Sequence, residues 1–250
     1  MKIIIISEMR VGSRWLHYLL SELFGMKVSA ELDFKDLPTC ATTVRERFAE
    51  RRIVKFHHVI REELYENIKP VDYKVIGIVR NPRDRMVSWT FHQRYKPPGR
   101  GLKIIKDAPS DLEAVKAVFN LELPWRHNER QFPLMVRGMS TKKYDPSVKQ
   151  TYVWTCYHWL VNDTYKEVKT ICKFLDSKVP DTSIRRLCIK HSFKNKSGRE
   201  PGKEIRRDEW RRKGIENDWK NWLDEYMIEK TEDISNRYWK IIKEEEKSGT

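Results

Sequence analysis

Several things are scarce or missing in this chain. Only four cysteines occur, Cys40, Cys156, Cys172 and Cys188, widely spaced and with no CxxC pair. That excludes the usual structural zinc frameworks and fits a reducing compartment. No stretch approaches the roughly 20 apolar residues that span a bilayer, and the opening isoleucine run is far too short for the apolar region of a signal peptide. A soluble, cytoplasmic protein is expected. The Walker A pattern GxxxxGK(S/T) is absent, and with it the lysine and hydroxyl that hold a nucleoside triphosphate and its magnesium. No internal repeat, heptad run or low-complexity segment divides the 250 residues, a length that suits one large domain with a full core. Acid is also short: 36 Asp and Glu against 50 Lys and Arg leave a formal charge of +14. That balance favours an anionic partner, whether a nucleotide, a sulfated or phosphorylated ligand, nucleic acid or a membrane surface.

What is present begins with the first residues. Lys2-Ile3-Ile4-Ile5-Ile6 is a branched apolar run of strand length, and it leads through Ser7-Glu8-Met9-Arg10-Val11-Gly12-Ser13-Arg14 into a helix. In that helix Leu16, Leu19, Leu20, Leu23 and Phe24 recur at helical spacing. Strand, short glycine-containing loop and helix, in that order, make an anion site: first-turn N–H groups face the ligand and the helix dipole adds to them. Gly12 lets the backbone approach a phosphate, and Arg10 and Arg14 flank the turn.

Further strands are expected at residues 27–29, 52–58, 73–80 and 151–157. Helices are expected at 42–52, 61–68, 85–95, 111–119, 163–175, 183–190, 217–229 and 232–246. The pattern breaks at Lys96-Pro97-Pro98-Gly99, and residues 96–148 read as a variable segment with a lid or substrate loop. The apolar strand at 73–80 suits the centre of a parallel sheet. The fold class is α/β: a P-loop-like, three-layer domain with a central parallel sheet between helices.

Three separated pieces place cationic or hydroxyl groups beside turns: Met9 to Trp15, Arg80 to Ser88, and Arg211 to Gly214. Guanidinium forks match phosphate oxygens, so these pieces suit a compact dianion. On residues alone, three readings stand: a group-transferring enzyme, a P-loop-like nucleotide or small-molecule kinase, and a non-catalytic nucleic-acid-binding protein. The kinase is disfavoured by the missing Walker lysine and magnesium ligands. The nucleic-acid reading rests on the basic, aromatic-dotted region around residues 185–220.

The same pieces resemble the sulfotransferase family that uses 3′-phosphoadenosine 5′-phosphosulfate (PAPS). Met9-Arg10-Val11-Gly12-Ser13-Arg14-Trp15 is similar to its 5′-phosphosulfate loop. Arg80-Asn81-Pro82-Arg83-Asp84-Arg85-Met86-Val87-Ser88 is nearly its 3′-phosphate segment. Arg212-Lys213-Gly214 followed by Asp218-Trp219-Lys220-Asn221 resembles its late loop. The resemblance implies a donor-binding set of Arg10, Val11, Gly12, Ser13 and Arg14 around the 5′-phosphosulfate, with Arg80 and Ser88 on the 3′-phosphate and Arg212, Lys213 and Gly214 closing over it. Trp15 and Phe193 would sandwich adenine, with Tyr157, ending the strand at 151–157, at the base edge, and Ser192 also belongs to the donor-binding set. PAPS would be the donor and 3′-phosphoadenosine 5′-phosphate (PAP) the product, with no required metal.

Lys55-Phe56-His57-His58 resembles the segment that carries the family's general base, and the match selects His57. An imidazole can accept the proton of an attacking hydroxyl near neutral pH. On an extended backbone His58 points the other way, whereas Lys55 shares the face of His57 and suits charge stabilisation. The chain departs from the pattern at Arg10, where a lysine is usual, at Arg14, and at Asn217, where glycine is preferred. Asp224-Glu225 replaces the centre of the family's dimerisation pattern, so that dimer is not expected. The resemblance implies a hydroxylated acceptor, with Trp125 suiting an aromatic one and Arg126, Arg130 and Arg137 an anionic one.

Overall fold

The isoleucines of β1 (Ile3–Ser7) are divided between two cores, as the two-residue period of a strand requires. Ile3 and Ile5 enter one and Ile4 and Ile6 the other. A strand apolar on both faces belongs inside a parallel sheet, and β1 lies between β2 (Val54–Phe56) and β3 (Lys74–Val79). The order is β2-β1-β3-β4, with β4 at Tyr152–Cys156, and all pairs are parallel. The register sets Ile5 against Lys55 on one side and Ile76 on the other. The computed structural model describes residues 1–29, 37–56, 73–97, 101–121, 152–204 and 213–248.

The chain divides into two compact units, Met1–Val79 with Lys142–Lys196, and Arg80–Thr141 with Ser197–Thr250. The first carries the sheet. On one face, Leu16, Leu19 and Leu20 of α1 (Ser13–Leu23) pack with Ile3, Ile5, Ile76 and Ile78. Helices α2 (Leu37–Ala49) and α3 (Pro82–Arg94) follow in the chain, α2 covering the opposite face through Ala41, Val44 and Phe48. Burying each large aliphatic side chain is worth roughly 1.5–3 kcal/mol, so β1 and α1 anchor this unit. Gly77 leaves room for Trp154, whose Cε3 would stand 2.0 Å from an added Cβ.

The second unit is helical. After α3 come α4 (Lys103–Lys106) and α5 (Asp111–Asn120), packed through Met86, Val87, Phe91, Ile105, Val115 and Val118. Arg94 fixes the turn between them: Nη1 donates to Ile105 O at 2.7 Å and Nε pairs with Asp111 Oδ1 at 2.7 Å. In the first unit α6 (Tyr157–Asn162), α7 (Thr164–Phe174), α8 (Asp181–Lys190) and α9 (Phe193–Ser197) follow β4. The second unit closes with a 3₁₀ turn at Asp218–Asn221, α10 (Glu225–Lys230) and α11 (Glu232–Ser248).

Several local expectations change. Residues 27–29 make only an isolated bridge, Lys27 to Arg52, instead of a strand. Helix α3 starts at Pro82 because Asn81 caps it, its Oδ1 accepting from Arg83 N at 2.9 Å. Tyr157 does not end β4 but opens α6, where Cys156 Sγ accepts from Trp159 N at 3.5 Å. The single helix expected over residues 217–229 is split into the 3₁₀ turn and α10. The helix expected at 61–68 lies outside the described residues.

Candidate functional site

In the first unit the candidate anion loop follows β1. Arg10 and Gly12 both adopt positive φ, 69° and 87°, and Gly12 is the N-cap of α1. Glycine is required at the second of these positions. Beyond the left-handed backbone, a Cβ there would meet Tyr157 Cδ2 at 2.8 Å. Tyr157 thus lies against the loop. Gly12 provides no side-chain cap, and the first turn of α1 holds no acidic residue. The leading N–H groups of an 11-residue helix therefore present an uncapped positive end.

The other loop residues divide by environment. Val11 is fully buried in the core, so only its backbone can serve a ligand. Ser13 is buried at the start of α1, while Arg10 and Arg14 are half-exposed. Trp15 packs against the core, and its Nε1 is buried with no hydrogen-bond partner. Lys55, on β2, is 1% exposed, an unusual place for an ammonium group. In the sequence it precedes His57 by two positions. His57 and His58 themselves lie outside the described residues, as do Arg212, Trp125, Arg126, Arg130 and Arg137.

Ser192 precedes α9 and Phe193 opens it. Ser192 Oγ accepts from Asn195 N at 3.3 Å, a capping role, and Phe193 is half-buried. Just before them, His191 is held at the end of α8 by Glu22 of α1. Nε2 stands 2.9 Å from Glu22 Oε2, and Lys190 Nζ lies 2.6 Å from Oε1. Burial lowers the His191 pKa, outweighing the opposing effect of its hydrogen bond to Glu22. The hydrogen bonds from Lys190 and His191 lower that of Glu22. This pair has no signature in the sequence, since its members are 169 positions apart. Cysteine chemistry is not offered by the helices behind the sheet: burial pushes the thiols of both Cys172 and Cys188 up to about 11.

The second unit holds Arg80, Ser88, Lys213 and Gly214, and Arg80 reaches the segment that follows Gly214. Arg80 Nη2 donates to Ile215 O at 3.0 Å. Ser88 is buried in α3. Lys213 Nζ makes an ion pair with Asp218 Oδ1 at 2.7 Å and lies 3.6 Å from Glu204 Oε2. Gly214 turns the chain with φ 65°. Asp84, given no role from the sequence, has its carboxyl raised by burial, opposed by the charge of Arg80 and the amides of Asn217 and Trp219. Asn217 has φ 60°, which explains how asparagine replaces the usual glycine: it is the residue that best tolerates the left-handed region after glycine. Among the described residues no group of three or more His, Cys, Asp or Glu is arranged to hold a metal ion, and no helix is long and apolar enough to cross a membrane.

Comparison with known proteins gives a consistent result. The family model described as a sulfotransferase domain matches residues 1–243. Mouse sulfotransferase SULT7A1, solved with PAP, is 19% identical with a TM-score of 0.66, covering 93% of this chain and 81% of the other. Retinol dehydratase, solved with androsterone and the inactive cofactor PAP, is 16% identical with a TM-score of 0.60, covering 97% and 80%. A second retinol dehydratase structure, with retinol and PAP, is 15% identical with a TM-score of 0.58, covering 97% and 81%. At these identities the structural likeness shows the fold. No curated protein sequence gives a match.

Proposed function

The chain belongs to the sulfotransferase family, and from that membership we propose that it transfers a sulfuryl group from PAPS to an acceptor hydroxyl. The observation that carries the donor assignment is the uncapped first turn of α1 behind Gly12, with Tyr157 packed on the glycine. Backbone N–H groups of Gly12, Ser13 and Arg14, with the Ser13 hydroxyl, take the 5′-phosphosulfate. Arg80 and Ser88 take the 3′-phosphate, joined by Arg212, Lys213 and Gly214. Trp15 and Phe193 hold adenine, with Ser192 and Tyr157 at its edge. Residues 1–250 act as one sulfotransferase domain.

In the transfer, the acceptor oxygen bonds to sulfur in line with the bridging phosphate oxygen, whose bond to sulfur breaks and releases PAP. His57 receives the acceptor proton. Lys55 and Arg10 stabilise charge on the sulfuryl group and the departing phosphate. Arg10 stays protonated throughout and acts as a clamp, not as a proton donor. No metal enters this scheme. The acceptor pocket is formed by residues 96–148, and the enzyme works in the cytoplasm. Solved relatives hold androsterone and retinol, which supports a hydroxylated acceptor without choosing its class. The test is transfer of labelled sulfate from PAPS across a panel of phenols, steroids, sugars and peptides, with PAP formation as the common readout. Label transfer with stoichiometric PAP supports the proposal, and PAP formation that never accompanies a sulfated product in the presence of any hydroxyl acceptor counts against it.

A further inference from the structure

Asp84 is a carboxylate that is only 2% exposed, in the first turn of α3. A buried carboxylate is costly unless hydrogen bonds satisfy it. Its two oxygens are met from one place: Oδ2 accepts from Asn217 N at 2.8 Å and Oδ1 from Trp219 N at 3.2 Å. The acceptor therefore demands one conformation of the loop, with Asn217 in the left-handed region between the two donated amides. The neighbouring residues reinforce it. Arg80 holds Ile215 O, and Arg83 lies over the Trp219 ring at 4.6 Å while its Nε donates to Thr231 Oγ1 at 2.7 Å. Gly202 N donates to Lys213 O at 2.9 Å, fixing the start of the loop. Asp218, locked by Asn221 Nδ2 and Trp222 Nε1, orients the Lys213 ammonium.

We infer that Asp84 is a positioning residue that sets the preference for a 3′-phosphorylated nucleotide, by holding residues 215–219 so that Lys213 and Gly214 are presented alongside Arg80. The inference rests on the donor reading above. Asp84 itself touches no ligand: its negative charge would repel a phosphate, and both its oxygens are already occupied by loop amides.

The test measures affinity for adenosine 3′,5′-bisphosphate and adenosine 5′-monophosphate by calorimetry, using the full chain. Asp84→Asn should weaken the bisphosphate about 10- to 100-fold, the effect of a lost charged hydrogen bond, while monophosphate affinity stays within about twofold. Asn217→Gly keeps the left-handed turn and should keep the preference. Asn217→Val cannot adopt it without strain and should lose at least about tenfold of the preference. If Asp84→Asn fails to fold, the Asn217 pair decides the matter. A merely structural role would lower the melting temperature and weaken both nucleotides alike, which overturns the inference. An unchanged preference in Asp84→Asn and Asn217→Val also overturns it, with the donor reading left standing. Wild-type protein that does not prefer the bisphosphate overturns the donor reading and the inference together.

Discussion

The two regions proposed to take phosphate are built in opposite ways. In the first unit the loop after β1 offers backbone: an uncapped helix end, a glycine crowded by Tyr157, and Val11 anchoring the turn in the core. In the second unit the residues from Arg80 to Ser88 and Lys213 to Trp219 form a side-chain network, in which Arg80, Arg83 and Asp84 grip the late loop. A backbone site tolerates changes of side chain as long as the turn survives, which accounts for Arg10 and Arg14 standing where the family pattern has other residues. A side-chain site depends on each charged member and its partner. Substitutions should therefore separate the two regions.

The largest effect falls on neither. His57→Ala should reduce sulfuryl transfer about 10²–10⁴-fold with nucleotide affinity unchanged, and His58→Ala should cost far less. Steady-state turnover of both variants, with fold checked by circular dichroism, decides it, and a larger loss in His58→Ala would reverse the assignment.

Gly12→Ala attacks the backbone region. The left-handed turn costs roughly 1–3 kcal/mol for a side chain, and the Tyr157 ring must also move. Affinity for adenosine 3′,5′-bisphosphate and for adenosine 5′-monophosphate should fall together, because both carry the 5′-phosphate. Selective loss of one nucleotide would erase the distinction between the regions.

Arg80→Ala and Ser88→Ala attack the side-chain region and should give the opposite signature. Binding of the bisphosphate should weaken by roughly 1.5–3 kcal/mol while the monophosphate is barely affected. Equal weakening of the two ligands in titration calorimetry would remove the 3′-phosphate assignment.

The smallest effect concerns pH. His191 has its pKa lowered by burial, so its neutral form is favoured in the folded chain. Its contribution to stability is complete above the unfolded value near 6.5 and is lost as the pH falls below it toward the depressed folded value. Glu22, also lowered, adds a loss of the same sign as the pH falls below its ordinary value of 4.5. Thermal melts from pH 8 to pH 4 should show stability falling in that order, with the first step absent in His191→Gln. A first step that persists in that variant assigns it to another group.

The backbone region was the more legible in the sequence. Four isoleucines, a glycine turn and leucines at helical spacing act locally, so β1, the loop and α1 fall where the pattern places them. The third strand was equally plain from its apolar run. The side-chain region could be found by its motifs but not understood from them. The helix expected over residues 217–229 is broken because Asp84, 133 positions away from Asn217, takes its amide and that of Trp219. Helical spacing cannot register a partner so distant. The opening of α6 at Tyr157 was missed for a more local reason: a cysteine sulfur caps it, and cysteine is not among the common capping residues. The pairing of Glu22 with His191 left no trace, since each reads as an ordinary polar helix residue.

The central claim is that this sulfotransferase takes its donor as a 3′-phosphorylated adenine nucleotide. Calorimetric titration of the wild-type chain with adenosine 3′,5′-bisphosphate, beside random single- and double-stranded DNA and RNA in a mobility assay, tests it most directly. The account predicts saturable nucleotide binding with a Kd on the order of micromolar, about −8 kcal/mol, and nucleic-acid binding that disappears as salt is raised. No heat with the bisphosphate, together with nucleic-acid binding that survives physiological salt, would contradict it.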